Sequence, residues 1–152
     1  MSAQTLSLDS EALLAATVRD GIARAIAVVG LGGVALIHLL DAPGTFGDQA
    51  YEGWLYVGLI TGCVLAAAAL IRTSDSRAWL AAAALPIGAM TGYVISRTIG
   101  LPGGADDIGN WGEPLGIASL FVEGSLAALA AVVLHSRAAV APLTRRIEAA
   151  PR

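Results

Sequence analysis

Residues 115–134 read LGIASLFVEGSLAALAAVVL, an apolar stretch of 20 residues that contains one charged side chain, Glu123. About 20 residues of α-helix cross the ~30 Å hydrocarbon core of a bilayer, so this stretch predicts a membrane-spanning helix. An ionised side chain at that depth costs roughly 2.5–3.5 kcal/mol on insertion scales. We therefore expect a polar partner for Glu123 on a neighbouring helix.

Three apolar stretches of similar length precede this one, and together they predict an all-α fold, a four-transmembrane-helix bundle. We expect the spans at residues 21–40, 53–71, 78–99 and 114–135. The chain is 56% hydrophobic and 14% charged, whereas about 25% of the residues in soluble domains are charged. The composition indicates a multi-pass protein of the inner (plasma) membrane, surrounded by the lipid bilayer and without a nucleic-acid partner.

Charged residues are segregated along the chain, and this asymmetry predicts the orientation of the bundle. All basic side chains are arginine, and those other than Arg97 flank one side of the expected spans: Arg19, Arg24, Arg72, Arg77, Arg137, Arg145, Arg146 and Arg152. The connections on the opposite side contain Asp41, Asp48, Glu52, Asp106, Asp107 and Glu113. Arginine-rich segments favour the cytoplasm, so we expect cytoplasmic N- and C-termini. The expected divisions are a cytoplasmic N-terminal lead-in (1–18), a membrane domain (19–136) and a cytoplasmic basic tail (137–152).

The direction of each expected helix indicates which polar side chains approach Glu123. Side chains tilt toward the N-terminus of their own helix. His38 and Arg97, near the outer ends of the first and third spans, should therefore point into the membrane, and Glu123 in the fourth span should point back toward them. We expect an Arg97–Glu123 contact, direct or through His38 or water. The alternatives for Arg97 are pairing with Glu113 and extension to the outer headgroups.

The candidate ligand or ion-pair site consists of His38, Arg97, Glu113 and Glu123. For Glu123, three interpretations remain open: a protonated carboxyl bonded to a neighbouring backbone, a structural ion pair, and a ligand, metal or proton site. For His38, an interfacial histidine is the alternative to a ligand.

A second set of residues, His38, Asp41, Glu52 and Glu123, contains candidate metal ligands, because imidazole and carboxylate groups together suit a divalent ion. His38 and Asp41 share a helix face if the first helix extends that far. The sequence lacks the paired Glu-x-x-His motifs of di-iron bundles. An intrachain bis-His haem is disfavoured, because His38 and His135 lie at opposite membrane faces. We name no catalytic residue and no cofactor, and a divalent metal stays open.

The spacing of glycines and the positions of aromatic residues lead to two further predictions. Gly58 and Gly62, and Gly88 and Gly92, have the spacing at which small residues let helices approach closely. Aromatic residues gather near the expected outer boundary (Phe46, Tyr51, Trp54, Tyr56 and Trp111), and Trp79 lies at the inner one. We interpret them as an interfacial belt; an aromatic-lined ligand cleft under the outer loops is the alternative.

Several motifs of the outer half resemble those of a known family. They are His38-Leu-Leu-Asp41-x-Pro43-Gly44, Ser96-Arg97-Thr98-x-Gly100-Leu101-Pro102-Gly103, Glu113-Pro114-Leu115-Gly116 and Glu123. Over about residues 24–135, the chain resembles a family of small four-helix integral membrane proteins from actinobacteria and related bacteria. The resemblance implies the four-helix fold. Because that family has no established activity, it implies no catalytic role for any residue.

These observations favour a non-enzymatic accessory protein, or a small-ligand or cation-binding protein, with a polar site in the outer half of the bundle. One alternative is a membrane redox or metal-binding component that uses His38 and buried carboxylates. Another is a transporter subunit that acts as a homo-oligomer, and a third is a purely structural Arg97–Glu123 pair. Whether the chain joins a homo-oligomer or a larger membrane complex stays open, as does the identity of its ligand.

Overall fold

The computed structural model describes the backbone of residues 3–148 and the side chains of residues 10–139. This part of the chain forms four long helices: α1 (Ala3–Asp48), α2 (Ala50–Arg72), α3 (Ser76–Thr98) and α4 (Pro114–Glu148). Each contains a segment long and apolar enough to cross a membrane: Ser10–Asp48, Ala50–Arg72, Ser76–Thr98 and Pro114–Ala139. The prediction of an all-α fold with four membrane-span candidates is confirmed.

The helices α1 and α4 are longer than the expected spans. The expected divisions at 18/19 and 136/137 lie within α1 and α4, respectively. Residues 1–2 of the lead-in and 149–152 of the tail lie outside the described residues. The long helices therefore extend without interruption beyond the limits that hydropathy suggested.

The loop expected at residues 41–52 is reduced to Gln49, because α1 continues through Pro43 to Asp48. A proline inside a helix removes one backbone donor and usually disrupts the helix. Here two hydrogen bonds to Asp41 stabilise the helical turn that contains Pro43. The Thr45 hydroxyl donates to the Asp41 carbonyl at 3.2 Å, and the Tyr56 hydroxyl of α2 donates to the Asp41 carboxylate at 3.0 Å.

Each helix packs against its neighbours in the sequence, and α4 closes the bundle against α1. We call the end that holds Gln49 and residues 99–113 the acidic end, and the end that holds residues 73–75 the arginine end. The apolar core lies toward the arginine end. Its buried members are Ala27, Leu31, Val34, Cys63, Ala66, Leu70, Ala78, Trp79, Ala82, Leu126 and Ala130.

Trp79 occupies this core rather than a membrane boundary. Its side chain is 0% exposed, so the prediction that Trp79 belongs to a lipid-facing belt is wrong. The core around the ring is rich in alanine, which leaves room for one large side chain. The indole Nε1 is buried there without a hydrogen-bond partner among the described residues. The guanidinium of Arg137 lies 5.7 Å from the centre of the ring.

Polar contacts at the arginine end tie three parts of the chain together around Asp20 of α1. Its carboxylate lies 3.1 Å from Arg24 Nε and 2.9 Å from Arg137 of α4. It also accepts a hydrogen bond from the Ser74 hydroxyl at 3.2 Å, and Arg137 donates to the Ser74 carbonyl. Asp20 thereby joins α1, α4 and the connection between α2 and α3.

Candidate functional site

A cavity of about 780 Å³ lies between the helices at the acidic end. Its lining includes Glu123 and Ser119 of α4 and His38 of α1. Glu123 lies about nine residues, or ~13 Å, along α4 from Pro114. Gln49 and Gly103 line the part nearest the connections. This volume falls within the range of about 300–1,000 Å³ that is typical of sites for small molecules.

Gly88 and Gly92 of α3 line this cavity. A Cβ atom built on either glycine would meet nothing within 4 Å. The expectation that this pair brings two helices into close contact is therefore wrong, because the glycines face open space. Their missing side chains contribute to the width of the cavity instead.

Glu123 is 1% exposed, the most deeply buried carboxylate in the described part of the chain. The hydroxyl of Ser119, one turn earlier in α4, donates to Glu123 Oε1 at 2.8 Å. His38 Nε2 of α1 lies 3.8 Å from the same oxygen, which is longer than a direct hydrogen bond. The expectation of polar neighbours for Glu123 is met by a hydroxyl and an imidazole.

The orientation of His38 follows from its other nitrogen. Nδ1 lies 2.9 Å from the Val34 carbonyl, and because a carbonyl oxygen only accepts, Nδ1 carries the hydrogen. The ring of Tyr56 packs edge-on against the imidazole, with the ring centres 4.7 Å apart. Since Tyr56 also bonds to Asp41, α2 holds His38 with Nε2 turned toward Glu123.

Arg97 is buried beside a different pair of acids. One terminal nitrogen lies 2.8 Å from Asp107 Oδ1, and the other lies 2.6 Å from Glu113 Oε2. The guanidinium also lies 4.8 Å from the centre of the Tyr93 ring. Of the alternatives open for Arg97, the structure forms the pair with Glu113, and it places no Arg97–Glu123 pair among the described residues.

The path of residues 99–113 explains this choice of partner. Gly100 ends α3 with a φ of +81°, a conformation that favours glycine. The chain then returns toward α3, and the backbone N–H of Gly109 donates to the Arg97 carbonyl at 2.9 Å. Asp107 therefore lies beside Arg97 and accepts from the Ser96 hydroxyl at 3.1 Å. Both terminal nitrogens of Arg97 are thus paired near the connection, whereas its buried Nε has no hydrogen-bond partner among the described residues.

The candidate metal ligands His38, Asp41, Glu52 and Glu123 all line the cavity. They are nevertheless dispersed in it: Asp41 bonds to Tyr56, and Glu52 accepts from the Tyr51 hydroxyl at 2.8 Å near the connections. In the part of the chain that the structure describes, no group of three or more His, Cys, Asp or Glu side chains is arranged to hold a metal ion. The geometry does not assemble the metal site that these residue types suggested.

Three contributors to the cavity were missed by sequence reasoning. Ser119 could have been found, because it lies four residues before Glu123 in the same apolar helix and such pairs share a face. Asp107 was recognised only as part of an acidic loop. Tyr93 could have been found in the same way, because it lies four residues before Arg97 in α3 and its ring packs under the guanidinium.

Negative charge predominates in the cavity. The described residues that line it include the carboxylates of Asp41, Asp48, Glu52, Asp106, Asp107, Glu113 and Glu123, against the guanidinium of Arg97. A cleft with low-dielectric walls and charges of one sign concentrates counter-ions. The arrangement is therefore suited to attract and hold a cation.

No protein-family model, curated protein or solved structure matches this chain. The family resemblance of the outer-half motifs stays a prediction.

Proposed function

We propose that the protein is a multi-pass protein of the inner (plasma) membrane that binds a small positively charged ligand in the cavity at its acidic end, without catalysing a reaction. The observation that carries this proposal is the cavity itself: about 780 Å³ of space lined by carboxylates from α1, α2, α4 and the connection between α3 and α4. Such an arrangement is typical of a binding site.

The distribution of polar and apolar surface supports binding of a small molecule. The walls combine carboxylates with leucine side chains, among them Leu55, Leu59 and Leu85, and with the open surface at Gly88 and Gly92. Small-molecule sites typically combine apolar walls with a few polar groups that fix the orientation of the ligand. A ligand with one charged group and an apolar body would match both kinds of surface.

The segregation of arginine supports an orientation in which the acidic end faces outward and both termini are cytoplasmic. In that orientation the acidic end, which holds the cavity, lies on the side away from the cytoplasm. The native thiol, Cys63, is buried, which permits a labelling test. In intact cells, a membrane-impermeant maleimide should label Ala105→Cys, whereas Ser76→Cys should be labelled only after the cells are broken. The reverse pattern would contradict the orientation.

A titration of the purified protein in detergent tests the binding proposal. We would measure thermal stability with a panel of divalent metal ions and organic ammonium ions, with benzoate as the anionic control. A ligand at 100 times its Kd stabilises the folded state by about 2.7 kcal/mol. We expect stabilisation by at least one cation and none by benzoate.

Two glycine variants locate that binding. Gly92→Leu should fill the cavity and abolish the stabilisation, and the fold should tolerate it because the new side chain enters open space. Gly58→Leu is the matched control, since Gly58 also has open space around it but does not line the cavity. Failure of every cation to bind, or equal loss of binding in both variants, would contradict the proposal.

A further inference from the structure

We propose that the ligand is a monovalent organic ammonium ion, and that its charged nitrogen binds at Glu123, beside Ser119 and His38. This inference rests on the proposed function, because it names the ligand class and the contact point within the same cavity. It depends on which cavity carboxylates already have a charged partner in the protein and on which groups surround Glu123.

Four of the carboxylates that line the cavity contact other side chains of the protein. Asp107 and Glu113 share the guanidinium of Arg97. Asp41 accepts a hydrogen bond from Tyr56, and Glu52 accepts one from Tyr51. The guanidinium offsets the charge of Asp107 and Glu113, whereas the tyrosine hydroxyls orient Asp41 and Glu52 without changing their charge.

Glu123 differs from Asp107 and Glu113 because it has no guanidinium partner among the described residues, and it differs from the other cavity carboxylates because it is only 1% exposed. A hydroxyl bonds to its Oε1, and the imidazole stands 3.8 Å away. Its other oxygen, Oε2, has no hydrogen-bond partner among the side chains that the structure describes. The hydroxyl carries no charge, and because Glu123 is shielded from water more than Asp41 and Glu52 are, the ionised carboxylate of Glu123 would gain more from a cation in the cavity.

The groups that face Glu123 come from each neighbouring helix. His38 approaches from α1, and α2 contributes the buried thiol of Cys63 and the Tyr56 ring that packs on His38. From α3, Met90 lies close to the backbone at Gly124, the next residue of α4. The described groups nearest the carboxylate are thus a hydroxyl, an imidazole and a thiol, with the Tyr56 ring packed on the imidazole. They supply few of the oxygen ligands that a divalent metal ion needs.

The number of groups that must bind the ligand also distinguishes a divalent metal ion from an organic ammonium ion. Magnesium and calcium ions need about six or more oxygen ligands, and the described residues offer no group of three metal-binding side chains. An ammonium ion needs only one carboxylate, and aromatic faces add to its binding. The leucine side chains and the open surface at Gly88 and Gly92 would then receive the apolar part of the ligand.

Benzylammonium and benzyl alcohol provide a matched pair of probes, because they have nearly the same size and differ in charge. Removal of one partner from a buried charge pair weakens binding by roughly 30-fold or more. We therefore expect the intact protein to bind benzylammonium at least about 30-fold more tightly than benzyl alcohol, measured by calorimetry in detergent. Glu123→Gln should remove this preference. The control Glu11→Gln, at an exposed position of α1 that does not line the cavity, should change the Kd by less than about 3-fold.

A second measurement locates the probe without a substitution and remains informative if Glu123→Gln does not fold. A benzylammonium with a photoreactive diazirine should label α4 near residues 119–123, or α1 near His38, as mapped by mass spectrometry of the intact chain. Adducts confined to residues 99–113 would overturn the inference.

The outcomes separate failure of this inference from failure of the proposed function. If divalent ions bind but benzylammonium does not, or if Glu123→Gln retains the preference for benzylammonium, the cavity binds a cation but this ligand class or contact point is wrong. If no cation of either class binds, the proposed function fails and this inference fails with it.

Discussion

The two ends of the bundle bury different kinds of side chain. Toward the arginine end, the buried cluster is apolar and centres on Trp79, Leu31 and Leu70. Toward the acidic end, the buried side chains include His38, Ser96, Arg97, Ser119 and Glu123, and they surround a cavity. The same helices therefore form a packed region at one end and a polar, hollow region at the other.

This difference indicates that stability and ligand binding depend on separate regions. Lipid tails are as apolar as the side chains of a core, so helices in a membrane associate through close packing and hydrogen bonds. The apolar cluster packs toward the arginine end, whereas the larger cavity leaves open space between the helices at the acidic end. The acidic end compensates with ion pairs between Arg97 and its two acids. Substitutions at the two ends should therefore have different consequences.

The largest loss of stability should follow Trp79→Ala at the arginine end. Removal of a fully buried indole leaves a void, and such substitutions cost about 3–5 kcal/mol. Unfolding in detergent would measure this loss, and the Kd for a cavity ligand should stay within about 3-fold. Trp54→Ala is the matched control. Trp54 is 67% exposed and packs edge-on against Phe46, so we expect a loss of about 1 kcal/mol or less. Equal losses of stability in both variants would contradict the expected dependence of stability on the packed core at the arginine end.

Arg97→Ala should have the next largest effect and should act at the acidic end. The substitution leaves Asp107 and Glu113 without their cation, and because both acids are partly exposed, we expect a loss of about 1–3 kcal/mol. Residues 101–112 should exchange their amide hydrogens faster, which mass spectrometry would measure, while residues 78–82 should be unchanged.

A double-mutant cycle sharpens the assignment of the Arg97 partner. Arg97→Ala and Glu113→Gln should be coupled by more than about 0.5 kcal/mol, because the side chains are in contact. Arg97→Ala and Glu123→Gln should instead be additive within about 0.5 kcal/mol. Coupling of the second pair alone would contradict the observed pairing.

Gly116→Ala tests the packing of α3 against α4 near the cavity and should cost about 1–2 kcal/mol. A Cβ atom at Gly116 would lie 2.5 Å from the Tyr93 ring, which packs under Arg97 and against Trp111. Gly124→Ala on the same helix is the control, because its Cβ would meet Met90 Sδ at 4.0 Å, an ordinary contact. Thermal stability should fall in the first variant and change little in the second.

The smallest effect should follow Asp20→Asn at the arginine end. The carboxylate contacts Arg24 and Arg137, but these side chains are 26–32% exposed, and ion pairs of this kind contribute about 1 kcal/mol or less. We expect a small loss that declines further at high salt, measured as a change in unfolding midpoint. A loss as large as that of Trp79→Ala would mean that polar contacts, rather than packing, hold the arginine end.

The prediction of four spans succeeded because it needs only segment length and hydropathy. The second and third spans, expected at 53–71 and 78–99, agree with α2 (Ala50–Arg72) and α3 (Ser76–Thr98) within a few residues. The prediction for the end of α1 was less accurate. Pro43 and Gly44 signal a turn, but contacts of Asp41 with Thr45 and Tyr56 keep these residues helical, and such tertiary contacts override local preference.

The candidate site could also be predicted only in part, because it depends on tertiary contacts. Glu123 was recognisable as a buried carboxylate because it interrupts an apolar stretch. The role of Gly88 and Gly92 was misread, because their spacing is the same whether they face a helix or a cavity. Trp79 was misread for a similar reason: its position near a span end does not reveal whether its ring faces lipid or the core.

The sequence by itself determined that four apolar segments form helices and that a carboxylate lies within one of them, because the bilayer thickness and the cost of a charge in hydrocarbon act on each segment separately. Only the tertiary structure decided that Arg97 pairs with Glu113 and Asp107, that Glu123 faces Ser119 and His38, and that glycines widen a cavity between them. Those outcomes depend on helix rotation and on the return path of residues 99–113, and both are set by contacts between segments far apart in the chain.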